Sequence, residues 1–200
     1  IAPAGLLTTR QWAAAHMIAG TNRRAVEYSL REFTCVPLES AADSSGPEDV
    51  IGRDIDRNPG GSMSKFTTSC RACHTVMDGF RPAFAYMTFA AGYLKHSALV
   101  PNSTADNLDE DKSPAMRIHP DAPKVTRKMN HNEEYFIKGK IVKDDSWVNN
   151  ANNGTNRTQF GWTMTSGVGI SQFGKALGES KAFPKCMAKR VFFTVCKREA

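Results

Sequence analysis

The run Ser69-Cys70-Arg71-Ala72-Cys73-His74 constrains this chain more than any other feature, because C-x-x-C-H is the spacing at which a haem is stitched to a polypeptide. Two thiols add to the two vinyl groups on one porphyrin edge. Two intervening residues place both sulfurs on that edge. The next residue then aims its imidazole at the iron from one face. The motif therefore assigns Cys70 and Cys73 to covalent attachment of one haem c, and His74 to its iron as the proximal ligand. The second ring nitrogen of His74 is expected to donate to a backbone carbonyl, which fixes the tautomer. Three rivals have to be weighed. Zinc needs a fourth ligand and usually a second Cys or His pair, and Cys186 and Cys196 are spaced wrongly for one. A thioredoxin-like pair expects a strand ahead of the motif in a βαβ setting, and none is predicted. Chance occurrence is the third.

Cys35, Cys186 and Cys196 remain, so at most one disulfide forms among them. On one continuous helix Cys186 and Cys196 would stand ~15 Å apart, beyond the ~7 Å that a disulfide spans. Cys35 with either of the two is the more plausible pairing. The alternative, that all three are small buried hydrophobes, stays open.

Helical spacing recurs at both ends of the chain. Residues 5–20 read as a helix capped by Thr8 or Thr9, with Trp12, Ala15 and Ala19 on one face and Gly20 at its end. A second runs from Asn22 to Cys35, with Val26, Leu30 and Phe33 in step, and Pro37 stops it. Residues 39–64, rich in Ser, Gly, Pro and Asp, read as a long surface loop leading into the motif and able to wrap the cofactor. Thr67 or Thr68 is expected to cap the helix CRACHTVMDGF, which Gly79 and Pro82 break. Pro82 then starts a further helix, AFAYMTFAAGYL. Residues 96–165 read as irregular, apart from a short hairpin over 135–142 turning at Gly139. From Ser166 the helical pattern returns, with Ile170, Phe173 and Leu177 on one face. Pro184 starts a last helix on which Met187, Val191 and Val195 align.

The segment CRACHTVMDGFRPAFAYMTF resembles the haem segment of large c-type cytochrome domain proteins of environmental bacteria. There C-x-x-C-H is followed by Met-Asp and then an aromatic-rich stretch. The flanks AGLLTTRQW and GISQFGKALGESKAFPKCMAKRVFFTVCKRE resemble the segments that surround the haem in that group. The resemblance spans most of the chain and is weakest over 96–160. It implies a mostly α, cytochrome c-like helical domain with long irregular loops over residues 1–200. It also implies export to a periplasmic or extracellular setting. The chain opens at Ile1 without an initiator Met or a basic-then-apolar leader, so a removed signal and a longer precursor both stay open.

An electron-transfer role asks for a second axial ligand, and Met raises the potential relative to His. Met164 in FGWTMTSG is the first choice, with Trp162 and Phe160 placed to pack on the porphyrin. Met129 is the second, and His119 or His131 would give a bis-His iron. His16 and His96 rank lower. Met77, three residues after His74 on the same helix, is set aside.

The net charge of +6 suits an acidic redox partner. The basic residues are dispersed and no basic helix carries interleaved aromatics, so a nucleic-acid partner is not expected. No run approaches the ~20 apolar residues of a membrane span. Asn102, Asn153 and Asn156 fit the N-glycosylation pattern but read as loop chemistry. The paired acids 133–134 and 144–145 read as solvated. Electron transfer through one haem is thus the leading expectation, ahead of an enzymatic role. The alternatives are a haem subunit of a larger polymeric or multi-subunit assembly with haem–haem contact, and a peroxidase-like haem enzyme with an open iron position.

Overall fold

A computed structural model describes residues 3–17, 22–46, 50–51, 66–90, 93–96, 140 and 142–198, and among these helix predominates. A 3-10 turn, Gly5–Thr8, leads into α1 (Arg10–His16). Thr9 caps α1, its hydroxyl accepting the Trp12 N–H at 3.2 Å. Trp12 is buried, but Ala15 is exposed; Ala13 and Met17 complete the inward stripe because that is the side laid against α2. Ala19 and Gly20 lie outside the described residues.

Helix α2 (Arg23–Thr34) buries Ala25, Val26 and Leu30 completely and Phe33 in part. Asn22 occupies the N-cap position without capping. Its backbone is left-handed (φ 56°), and its amide donates instead to the carbonyls of Phe84 and Met87 at 2.9 and 3.0 Å. Cys35, also left-handed, ends the helix. One turn of helix, α3 (Leu38–Ala41), follows where the composition reads as loop; Leu38 and Ala41 anchor it by burial.

The cysteine motif opens on a π turn, Phe66–Cys70, so the N-cap position of the next helix falls to Cys70 rather than to Thr67 or Thr68. Helix α4 (Arg71–Phe80) runs through Gly79 rather than breaking there. A Cβ at Gly79 would fall on the Val148 carbonyl oxygen and the Asn150 amide, so the missing side chain admits the neighbouring strand. A second 3-10 turn, Arg81–Phe84, holds Pro82 in its first turn. The helix expected after it is instead an antiparallel hairpin of β1 (Met87–Ala90) and β2 (Tyr93–His96), with Ala90 opposite Tyr93 and Met87 opposite His96. Thr88, Phe89 and Tyr93 suit strands, Met87 is buried, and residues 91–92 separate the two strands.

Two elements fall inside the span read as irregular. Strand β3 (Ser146–Val148) pairs antiparallel with β4 (Ser166–Val168), Trp147 opposite Gly167. Between them lies α5 (Gly154–Phe160), whose GTNRTQF sequence has one apolar residue and therefore no periodicity to register. Tertiary contacts hold it: Phe160 is fully buried, and the Asn156 amide donates to the Ala41 carbonyl at 2.8 Å. Gly161, at φ 59°, closes it in the left-handed region.

Helix α6 (Gly169–Glu179) buries Ile170, Phe173 and Leu177, as their spacing predicts. The last helix, α7 (Ala182–Cys196), starts two residues before Pro184. Its Met187–Val191–Val195 row does not face the core: Val191 is 63% and Val195 74% exposed. Ala182 and Cys186 take the core side, because α7 is held against α2 by a Cys35–Cys186 disulfide with a Cα separation of 5.2 Å. Cys196 is free and exposed. The centre of the core is aromatic. Phe80 of α4 meets Trp147, Trp162 and Phe173 at ring-centroid distances of 5.7, 5.5 and 5.2 Å. Among the described residues no helix is long and apolar enough to cross a membrane. The hairpin expected over 135–142 lies outside the described residues except at 140 and 142; the Lys140 N–H donates to the Ile51 carbonyl at 2.7 Å.

Candidate haem-attachment site

Cys70 stands at the N-cap of α4 and Cys73 and His74 in its first turn, where a helix brings positions three and four apart onto one side. Cys70 is half-buried and, like Val50, packs on Ile51. Cys73 is half-buried against the main core, its Sγ 3.9 Å from the Leu38 carbonyl oxygen. Neither is in a disulfide. Burial, then the nearby Glu39 and Cys70, push the Cys73 thiol up, so it stands as the neutral thiol at ordinary pH.

The two intervening residues are pinned from the opposite direction. The Ala72 carbonyl accepts the Asp43 N–H at 3.0 Å, and the Arg71 guanidinium donates to the Ser44 carbonyl at 2.6 Å. The segment following α3 thus lies along the motif and fixes the turn that spaces the two sulfurs.

His74 is oriented differently from the sequence-based expectation. Its Nδ1 lies 3.1 Å from Asp78 Oδ2, one turn further along α4, so the partner is a carboxylate and not a backbone carbonyl. The reason is position: residue i+4 of a helix places a short acidic side chain within reach of the imidazole. Asp78 has no side-chain exposure, and Arg23 grips it from the start of α2 through Nε to Oδ1 at 2.8 Å and a terminal nitrogen to Oδ2 at 3.1 Å. Burial pushes the Asp78 carboxyl up, but Arg23, then His74, then Arg81 more than offset it and hold it well below the usual carboxylate range. A carboxylate that stays ionised can only accept. Nδ1 is therefore the donor in this contact, and Nε2 is the nitrogen that would meet a metal.

This donor set fits a covalently attached porphyrin. Two unbridged thiols stand one helical turn apart, beside an imidazole with one nitrogen held by a buried acceptor. Among the described residues no three His, Cys, Asp or Glu side chains converge to hold a metal ion.

Met164 is half-buried against the main core, in the loop before β4. That loop is tied to α4 by two asparagines in succession. The Asn149 amide donates to the Met164 carbonyl at 3.0 Å, and the Asn150 amide donates to the Thr75 carbonyl, beside His74, at 2.9 Å. Phe160 and Trp162 stack on each other at 4.9 Å, and Phe160 is wholly inside the core, so it offers no free ring face to a porphyrin. Met129, His119 and His131 lie outside the described residues. His96 sits at the end of β2. His16 is packed against the Trp12 ring at 4.3 Å and stacked on Tyr28 at 4.4 Å. Met77 is in the core and 7% exposed.

Sequence reasoning missed Asp78 and Arg23. The H-x-x-x-D spacing was the available signal for Asp78; nothing in the sequence points from Asp78 to a residue 55 positions earlier. Of the acids at 144–145, Asp144 is exposed and accepts the Ser146 N–H at 2.8 Å. Asn156 is not loop chemistry but a buried helical residue. No protein-family model, curated protein or solved structure matches the chain.

Proposed function

We propose that this chain is a c-type cytochrome-like electron carrier: one haem attached through Cys70 and Cys73, with His74 Nε2 on its iron. The observation that carries the reading is the first turn of α4. Two unbridged thiols and an imidazole whose far nitrogen is already engaged meet there at the C-x-x-C-H spacing. When bound, the haem supplies a one-electron couple. The chain's own residues supply the rest. Asp43 holds the Ala72 backbone and Ser44 the Arg71 side chain between the sulfurs, Asp78 orients the imidazole, and apolar neighbours back Cys70 and Cys73.

Met164 is the proposed second axial ligand, supported by the Asn149–Asn150 tether that ties its loop to the turn bearing His74. The Cys35–Cys186 disulfide supports an oxidising, exported setting, periplasmic or extracellular. The net charge of +6 supports docking on an acidic redox partner.

The test is production of the chain in a compartment that carries haem-attachment machinery. The reading expects a Soret band, haem that stays with the denatured chain, and loss of that attachment in a Cys70→Ala/Cys73→Ala variant. A chain recovered folded and colourless overturns it. Met164→Ala should abolish the Met-to-ferric charge-transfer band and open the iron to carbon monoxide. A parent protein that already binds carbon monoxide readily would instead favour a haem enzyme.

A further inference from the structure

We infer that Asp78, clamped by Arg23, is a positioning residue that sets both the tautomer of His74 and its donor strength toward iron. The inference rests on the haem reading above and adds the element that tunes it. The observations are geometric. His74 Nδ1 and Asp78 Oδ2 are 3.1 Å apart on successive turns of α4, and the carboxylate is without exposure. Arg23 meets both carboxylate oxygens, so Asp78 cannot swing away from the imidazole without breaking a two-point grip.

A buried ion pair alone is weak support for stability, since its desolvation often cancels its attraction. This pair has a third member, and that member is the residue of the motif that meets the metal. An ionised acceptor draws the Nδ1 proton toward itself and leaves more electron density on Nε2 than a neutral carbonyl would. More density on Nε2 favours ferric over ferrous iron and lowers the reduction potential. Arg23 moderates this by sharing the carboxylate's charge. The site is thus built to sit lower in potential than the same ligand set with a backbone-carbonyl partner.

Two measurements test this separately from the haem reading. The first uses the haem-free Cys70→Ala/Cys73→Ala chain with 15N-labelled histidine. NMR should find His74 as the Nδ1-protonated tautomer, with Asp78→Asn and Asp78→Glu both shifting it to a mixture. A His74 protonated on Nε2 overturns the inference whether or not the parent chain takes up haem. The second is potentiometry of the haem-loaded chain. Asp78→Asn should raise the midpoint so that the ferric-to-ferrous ratio at fixed potential falls about tenfold, which is about 59 mV for one electron. Asp78→Glu, which keeps the charge and disturbs the geometry, should move it in the same direction. An unchanged midpoint in Asp78→Glu would assign the effect to charge alone and overturn the hydrogen-bond role. A chain that fails to load haem but keeps the Nδ1 tautomer sinks the electron-transfer reading, and with it the tuning of iron.

Discussion

Opening the Cys35–Cys186 bond should cost the fold more than any single packing defect. The two cysteines are 151 residues apart, so the bond closes most of the chain into one loop. In the chain-entropy treatment, a cross-link at this 151-residue separation removes about 17 cal/mol/K from the unfolded ensemble, or about 5 kcal/mol at 25 °C. For a domain of 200 residues each kcal/mol moves the melting point by roughly 2–4 °C, so the shift is about 10–20 °C downward. Cys35→Ser with Cys186→Ala is the suitable pair. Position 35 is exposed and tolerates a hydroxyl, whereas Cys186 is buried at the α2–α7 contact and calls for an apolar replacement. The assay is thermal and urea unfolding of the parent and the double variant, both without reductant. Because the effect lies in the unfolded state, the urea m-value should also rise as the chain is released to expand. A double variant that melts within about 3 °C of the parent, with an unchanged m-value, would refute the loop-closure argument.

Gly79→Ala should destabilise by about 1–3 kcal/mol in urea unfolding, because the added Cβ meets the Val148 carbonyl; helix propensity taken alone predicts the opposite sign, so a more stable variant would show that β3 yields easily. Asn156→Ala should cost about 1–3 kcal/mol by leaving the buried Ala41 carbonyl without its donor. In a glycosylating host Asn156 should stay unmodified by mass spectrometry, and a glycan there would contradict its burial. Burial, with help from Arg24, pushes His16 down against a smaller upward pull from Glu32. Its folded value is below its unfolded value of about 6.5, so its contribution is complete above that pH and is lost as pH falls through the folded value. Stability measured between pH 7 and pH 5 should decline, and the decline should be shallower in His16→Gln.

Much of the helical frame can be read without coordinates, since burial of one stripe imposes a 3.6-residue recurrence. Val26 and Leu30 on α2, and Ile170, Phe173 and Leu177 on α6, are spaced by that requirement and are buried accordingly. The motif likewise names the candidate site, because Cys70, Cys73 and His74 are neighbours in the chain. What depends on distant partners is not written locally. MTFAAGYLKH has apolar content enough for helix or strand, and it forms a hairpin whose two strands lie against α1. The α7 row at Met187, Val191 and Val195 keeps perfect helical spacing and still faces outward, because the disulfide turns Cys186 inward. The acceptor on His74 is a carboxylate because α2 delivers Arg23 to hold Asp78 ionised inside the core. A charge can be buried only where its counter-charge is brought to it, and that is decided by the packing of α2 on α4, not by the order of residues along either helix.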